Sequence, residues 1–235
     1  MHRIIWPLTV VLCTVGASCA RSPEPPFTLK QVGPNVWAAI DNPKATSPAS
    51  ANAGFVIGDD GVIVIDTFFT EDAARQLLAA IQSRTNLPVK FVVNTHYHID
   101  HVAGNGVFAK TGAAILAQRN VRGWIHSENL RLISDFLTPE LKTLTESITE
   151  PSVDYEDATH LYLGARAIHV RSFPGHTGGD SIVVVPDAKV AFLGDLFWRN
   201  MLPTLIDAST KPWGRDAGCG HDHERARLHV RSGAW

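Results

Sequence analysis

The sequence predicts an α/β protein (α+β in some classification schemes) built from two strand-rich halves with helices between them. Short apolar runs bounded by turn residues recur along the chain, and segments with helical spacing separate several of them. Polar residues collect where these runs end. With 235 residues, of which 45% are hydrophobic and 19% charged, the chain has an ordinary globular balance and a length that fits one large domain or two small ones.

The first 20 residues read as a secretory signal peptide, because basic residues precede an apolar run that ends in small residues. Cleavage after Ala20 would release a soluble periplasmic protein. Cleavage before Cys19 would leave a lipid-anchored protein on a Pro-rich tether, residues 21–26. Gly16 stands where a lipoprotein signal prefers Leu, so both outcomes stay open. The sequence therefore predicts export.

Two hairpins open the body of the chain. Alternating residues around the turn at 33–35 predict the first, and the Asp60-Gly61 step supplies the tight reversal of the second. The four strands are expected at residues 28–32, 36–40, 52–57 and 62–66. The last of them is apolar almost throughout, which predicts that both of its faces are covered.

A helix and two strands complete the first half. Thr70 is suited to cap the helix, because its side chain can accept a backbone N–H and two acidic residues follow where the helix dipole is positive. The Asn-Leu-Pro sequence at 86–88 ends the helix. Strands are expected at 89–94 and 113–117, with a short helix between them.

Residues 119–158 are polar and are predicted to be mostly helical. Such a segment would either cover the mouth of a site or serve only for packing. In the second half, short apolar runs that end in polar residues recur, and strands are expected at 165–173, 181–185 and 190–193.

Charge and cysteine content exclude several function classes. Lys and Arg number 21 against 23 Asp and Glu, so nothing suggests a nucleic-acid or anionic-membrane partner, and a small-molecule substrate is expected. The three cysteines are Cys13, Cys19 and Cys219, so the body between the leader and the tail has neither a disulfide framework nor a thiolate nucleophile.

A cluster of histidines follows the strand at 89–94. His96, His98, Asp100 and His101 lie within six positions, on a loop where alternate side chains can converge. Imidazole and carboxylate together suit Zn, Fe or Mn, and the lack of a thiolate argues against a closed structural zinc. The alternative is a His-rich surface loop.

His176 and Asp195 also follow apolar runs, in separate loops. Either residue alone would be read as a turn residue or a cap. Together with the cluster they predict a metal site assembled from three loops.

These residues carry a resemblance to a known family. The motifs are His96-x-His98-x-Asp100-His101, the segment 173–181 (Phe-Pro-Gly-His-Thr-Gly-Gly-Asp-Ser) and 192–195 (Phe-Leu-Gly-Asp). From about Phe27 to Pro212 the chain resembles the metallo-β-lactamase superfamily. The resemblance implies a domain at 27–213 with the four-layer αβ/βα sandwich, two mixed sheets and a two-metal site along one sheet edge.

The resemblance also implies the ligands. His96, His98 and His176 would hold the first metal, Asp100 and His101 the second, and Asp195 would bridge them. Two zinc ions per chain are expected, with iron as an alternative. Asp195 stands where one β-lactamase subclass has Cys, so the chain looks more like the thioesterase, lactonase and general hydrolase branches.

The resemblance implies that a metal-bound hydroxide attacks an ester, thioester, lactone or β-lactam. Asp100 would be the catalytic residue, which orients the nucleophile and passes a proton to the leaving group. The chain has no G-x-S-x-G signature for a serine nucleophile. Two alternatives stay open: an oxidoreductase resembling the persulfide dioxygenases, with one iron on His96, His176 and Asp195, and a non-catalytic remnant.

The C-terminal residues depart from the family pattern, which has a further histidine in a Gly-His-Gly loop. Residues 214–235 lack strand or helix periodicity. We therefore expect a truncated or frame-shifted ending, a disordered tail, and the loss of the last strand and helix. The alternative is that His221 or His223 replaces the missing ligand, but too little chain separates Asp195 from His221 for the expected helix and strand. No role is expected for His126, His160 or His169.

Overall fold

The computed structural model describes residues 24–198. The predicted signal peptide, residues 21–23 of the tether, and the tail at 214–235 with His221 and His223 lie outside the described residues, as do all three cysteines. Within the described range, no helix is both long enough and apolar enough to cross a membrane.

The described chain contains eleven strands and six α-helices. The strands are β1 Phe27–Gly33, β2 Val36–Asp41, β3 Ala53–Ile57, β4 Val62–Ile65, β5 Val89–Val93, β6 Ala114–Gln118, β7 Val153–Tyr155, β8 Ala158–Leu163, β9 Arg166–Ser172, β10 Ser181–Val185 and β11 Val190–Phe192. The helices are α1 Glu71–Gln82, α2 Ile99–Val102, α3 Asn105–Ala109, α4 Arg119–Trp124, α5 Ser127–Leu132 and α6 Pro139–Glu146. Two short 3-10 turns lie at Ser134–Phe136 and Gly194–Leu196.

The strands form two sheets, as predicted. The first has seven strands in the order β1 to β7, antiparallel from β1 to β4 and parallel from β4 to β7. The second has the order β11-β10-β9-β8 and is antiparallel throughout its described strands. Short connections join these consecutive strands, and such connections favour antiparallel pairing. Only the first sheet is therefore mixed within the described chain.

Strand β4 shows how the layers stack. Val62 and Val64 pack in one cluster with α1 and α3, whereas Ile63 and Ile65 pack in another with the second sheet. The prediction that this strand is covered on both faces is confirmed, since all four residues are buried. The chain thus has the order helices, sheet, sheet of the predicted sandwich. The last strand and helix that we expected to be lost would fall outside the described residues.

Helix α1 begins as predicted. The Thr70 Oγ1 accepts a hydrogen bond from the backbone N–H of Ala73, at 3.2 Å. The helix ends at Gln82, a few residues before the predicted Asn-Leu-Pro boundary. Its buried face, which includes Leu77 and Ile81, fixes the helix against the first sheet.

The prediction that residues 119–158 are mostly helical is confirmed, but it missed two strands at the C-terminal end. Helices α4, α5 and α6 occupy most of the segment, but β7 and the start of β8 lie within it. Strand β8 alternates between buried Leu161 and Leu163 and exposed Tyr162, which is the period of a half-buried strand. Tyr162 is a large aromatic residue on the exposed face between the two leucines, so the sequence reads as an apolar run rather than an alternation, and β7 has only three residues.

A buried tyrosine between the sheets gives a pH-dependent stability. Burial raises the pKa of Tyr155 to about 12, against the opposing effect of its hydrogen bond to Ser181 Oγ. An unfolded tyrosine ionises near pH 10, so the unfolded state loses its proton first and stability falls as the pH rises from about 10 to 12, by roughly 2–3 kcal/mol.

Urea unfolding between pH 8 and pH 11.5 tests this effect. Tyr155→Phe should cost about 1 kcal/mol at pH 8, through the lost hydrogen bond, and should flatten the alkaline decline. Exposed Tyr162→Phe is the matched control. If the free energy of unfolding fell with the same slope at alkaline pH in the Tyr155→Phe protein and in the parent, the effect would not come from Tyr155.

Candidate metal centre

The predicted ligand residues meet at one edge of the two sheets. The loop and helix α2 that follow β5 carry His96, His98, Asp100 and His101, the β9–β10 loop carries His176, and the turn after β11 carries Asp195. Backbone hydrogen bonds link these regions, since Ser181 N–H donates to Thr95 O at 2.7 Å. The three loops that the sequence singled out are therefore neighbours in space.

Three imidazoles converge in a first group. The Nδ1 atom of His98 lies 3.1 Å from Nε2 of His96 and 3.0 Å from Nε2 of His176. The rings of His96 and His176 are almost completely buried. These three nitrogens form one compact set that could hold a metal ion.

A second group contains His96, His101 and Asp195. One carboxylate oxygen of Asp195, Oδ1, lies 3.4 Å from Nε2 of His101, and the other, Oδ2, lies 3.7 Å from Nε2 of His176. Each oxygen of Asp195 thus faces a different group of histidines. This is the arrangement of a carboxylate that can bridge two ions.

Asp100 lies at the rim of the site. Its Oδ2 is 3.8 Å from Nε2 of His101, and its side chain is 33% exposed. It belongs to neither compact ligand group, whereas the family resemblance assigns it to the second metal. Its position beside His101 and at the solvent-facing edge leaves it able to contact both an ion and a substrate.

Asp66 holds two parts of the site from behind. Its Oδ1 accepts from the Thr95 backbone N–H and its Oδ2 from the Thr95 hydroxyl, both at 2.7 Å. The Oδ2 atom also lies 2.8 Å from Nδ1 of His101. Nδ1 therefore faces this carboxylate, so Nε2 is the ring nitrogen of His101 that is directed toward the site. In the sequence, Asp66 is recognisable only as the last residue of the strand predicted at 62–66.

Thr95 similarly fixes the tautomer of His96. A threonine hydroxyl has one proton, and Thr95 donates it to Asp66. In its 3.1 Å contact with Nδ1 of His96 the hydroxyl must therefore accept, which places a proton on Nδ1. The Nε2 atom of His96 is left with a lone pair for an ion.

Asp180 shapes the loop that carries His176. Its Oδ2 accepts the backbone N–H groups of Gly175, His176 and Thr177 at 2.6–2.8 Å, and its Oδ1 accepts the Thr177 hydroxyl. Burial raises the pKa of the Asp180 carboxyl, although these hydrogen bonds act to lower it. The segment containing Asp180 was recognised from the sequence, but this function of its carboxylate was not.

The histidines at the two ends of the site have opposite pKa shifts. Burial, with the other three imidazoles of the site, holds the pKa of His96 well below its usual value. Burial also acts to lower the pKa of His101, but the three surrounding carboxylates outweigh it and hold that pKa well above its usual value. The surroundings of His96 therefore favour its neutral imidazole, which is the form that binds metals.

The two carboxyls in front of the site also differ. Burial raises the pKa of Asp100, and repulsion from neighbouring carboxylates adds to this effect against the attraction of His101. For Asp195, burial acts to raise the pKa, but the nearby histidines outweigh it and lower the pKa. Of the two, Asp195 is the carboxyl whose surroundings favour the ionised form, which is the form that binds a metal.

The residues present fit a divalent cation. Within residues 24–198, Nε2 of His101 is a buried ring nitrogen that has no hydrogen-bond partner. Such an atom costs free energy unless something satisfies it. An ion between this nitrogen and the Asp195 carboxylate would do so, and it would also offset the clustering of carboxylates around His101.

A cavity of about 920 Å³ adjoins the site. Asp100, His101 and Asp195 line one part of it, with the aromatic rings of Phe197 and Trp198 beside them. Among the described residues, none from 119–158 lines this cavity. The segment packs instead on the loop of Tyr97, through Val121 and Trp124.

Comparison with known proteins agrees with this geometry. The profile of the metallo-beta-lactamase superfamily matches residues 46–229. Among solved structures, a metallo-beta-lactamase from Pontibacter korlensis superposes with a TM-score of 0.60 at 21% identity, covering 80% of this chain and 81% of that one. This similarity shows the fold.

Curated relatives include two kinds of protein. The 2,4-dinitroanisole O-demethylase subunit alpha of Nocardioides sp. (strain JS1661) is 28% identical over 194 residues, which is 80% of this chain and 53% of that protein. The hydroxyacylglutathione hydrolase of Brucella anthropi is 25% identical over 189 residues, which is 74% of this chain and 62% of the enzyme. The chain thus spans between half and two thirds of the length of these relatives.

Proposed function

Because this chain belongs to the metallo-β-lactamase superfamily, we propose that it is a zinc-dependent hydrolase that binds two ions at the six residues described above. The observation that carries this proposal is the placement of Asp195, whose two carboxylate oxygens face different histidine groups. His96, His98 and His176 would hold one ion, and His101, with Asp100 at its side, would hold the other. The described ligand atoms are nitrogen and oxygen only, a set that zinc accepts.

A bound pair of divalent ions would supply Lewis acidity and lower the pKa of a bound water toward neutrality. The protein supplies the rest. Thr95 and Asp66 fix the two imidazoles whose Nε2 atoms face the site. Asp100, with its raised pKa and its partial exposure, is the group placed to carry a proton to a leaving group.

An acyl compound is the proposed substrate class, with an ester, thioester, lactone or β-lactam bond at the reacting centre. Two points support it. A relative is named as a hydroxyacylglutathione hydrolase, and the residue between the two histidine groups is Asp195, as in the thioesterase and lactonase branches that the chain resembles. Export, with or without a lipid on Cys19, is proposed on the composition of the leader alone.

The iron-dependent alternative would use His96, His176 and Asp195. This alternative does not use His101 as a ligand, although the His101 ring is buried, is oriented by Asp66 and faces Asp195. A single-ion site would therefore not account for the burial and the orientation of His101. We therefore prefer the two-ion hydrolase.

The experiment that tests the proposal is reconstitution. The purified, chelator-treated protein is assayed on a panel of thioester, ester, lactone and β-lactam substrates with zinc, with Fe(II) and with no metal. Hydrolysis of at least one acyl substrate should appear with zinc and disappear with chelator. Oxygen consumption with a persulfide, seen with Fe(II) alone, would instead support the oxidoreductase.

A further inference from the structure

The segment of α4 and α5 packs against the back of the loop that carries His98. The side chain of Tyr97, in that loop, is fully buried in a cluster with Val121, Trp124 and Leu132. His96 and His98 flank Tyr97 and turn their rings to the metal centre instead. This packing fixes one side of the loop but leaves the orientation of its peptide groups to hydrogen bonds.

Asn129, on α5, makes those hydrogen bonds. Its Oδ1 accepts the backbone N–H of Ile99 at 3.0 Å, and its Nδ2 donates to the carbonyl of Tyr97 at 2.7 Å. The same Nδ2 donates to the carbonyl of Ile125, one turn back in the chain, at 2.7 Å. The side chain is only 2% exposed. Both ends of this buried amide are thus used.

The two peptide groups that Asn129 holds are those on either side of His98. The Tyr97 C=O group precedes His98 and the Ile99 N–H group follows it. The Asn129 amide therefore fixes the backbone of His98 on both sides. His98 has φ −59° and ψ 141°, an extended conformation directly before helix α2. This conformation determines where the imidazole projects, and here its Nδ1 lies within 3.1 Å of both other nitrogens of the group.

We propose that Asn129 is a positioning residue that sets His98 for metal binding. The bond to Ile125 holds the amide in place before any ion binds, so the geometry of His98 is set by the fold. This inference rests on the proposed metal centre. It also implies that the α4–α5 segment supports the metal centre from behind, although this segment does not line the cavity.

Metal binding to three variants tests the proposal. Asn129→Ala removes all three hydrogen bonds, and Asn129→Asp keeps an acceptor for Ile99 N–H while removing the donor to the Tyr97 and Ile125 carbonyls. Thr145→Val is the matched control, since it removes one buried hydrogen bond in the same helical region, from Thr145 Oγ1 to Leu141 O, away from His98. Zinc affinity is measured by competition with a chelator, and the site geometry by the visible spectrum of the Co(II)-substituted protein.

Asn129→Ala should weaken zinc binding at the group of His96, His98 and His176 by about 10–100-fold, the usual effect of removing a group that orients a ligand, and should alter the Co(II) bands. Asn129→Asp should alter the same bands with a smaller loss, which covers the case in which the alanine variant does not fold. Thr145→Val should change the melting temperature only. Unchanged affinity and spectrum in the Asn129 variants would overturn the proposal. A parent protein that binds neither zinc nor Co(II) would overturn the metal centre itself and this role with it.

Discussion

His176→Ala should abolish hydrolysis while leaving the protein folded. His176 is the ligand that the second half of the chain contributes to the first histidine group, and its Nε2 lies 3.0 Å from Nδ1 of His98. Without it, the first ion has two histidines, and Asp195 loses one of the groups that it faces. We expect kcat/KM to fall by at least about 10³-fold, which corresponds to roughly 4 kcal/mol of transition-state stabilisation.

The matched control is His169→Ala. His169 is an exposed histidine on β9, where its ring contacts that of His160 away from the site. Its replacement should leave kcat/KM within about twofold of the parent value, because surface substitutions away from special features have small effects. Equal activity in the His176→Ala and parent proteins, measured on the same substrate with the same zinc content, would show that the first group is not used.

Asp66→Ala should have the largest effect on stability. The substitution removes the acceptor for the backbone and hydroxyl of Thr95, and it leaves His101 without the carboxylate at its Nδ1. Removal of one member of a buried, hydrogen-bonded charge pair costs about 3–5 kcal/mol. We also expect zinc affinity to fall by about 10–100-fold, since both oriented imidazoles depend on Asp66.

Chemical unfolding with and without chelator measures both effects. Asp187→Ala is the control, because Asp187 pairs with Arg166 at 2.8 Å but its side chain is 55% exposed. Asp187→Ala should lower the free energy of unfolding by no more than about 1 kcal/mol. The account of Asp66 would be wrong if the two variants were equally stable in the metal-free state.

Much of the fold was predictable because it is encoded locally. Strands β4 and β5 are short apolar runs bounded by turn residues, and the Asp60-Gly61 step marks the reversal before β4. The N-cap at Thr70 is likewise a local signal. The ligand cluster could be found for the same reason, since His96, His98 and His101 are close in sequence before they are close in space.

The supporting residues could not be predicted, because their roles arise only in the folded chain. Asp66 is 29 positions from Thr95 and 35 from His101. Asn129 is 30 positions from Ile99, in a segment with no motif of its own. A lone Asp or Asn in a sequence is most often a turn or capping residue, and only the parallel pairing of β4 with β5 places Asp66 beside the histidine loop. A strand of three residues such as β7 gives too short a pattern to recognise.

The most direct test of the central claim is the metal content of the purified protein, measured by elemental analysis beside His98→Ala. The two-ion hydrolase predicts about two zinc ions per chain, with at least one of them lost in the variant. One iron per chain would contradict the assignment of zinc and favour the oxidoreductase. A folded parent protein that retains no metal and takes up none would contradict the metal centre.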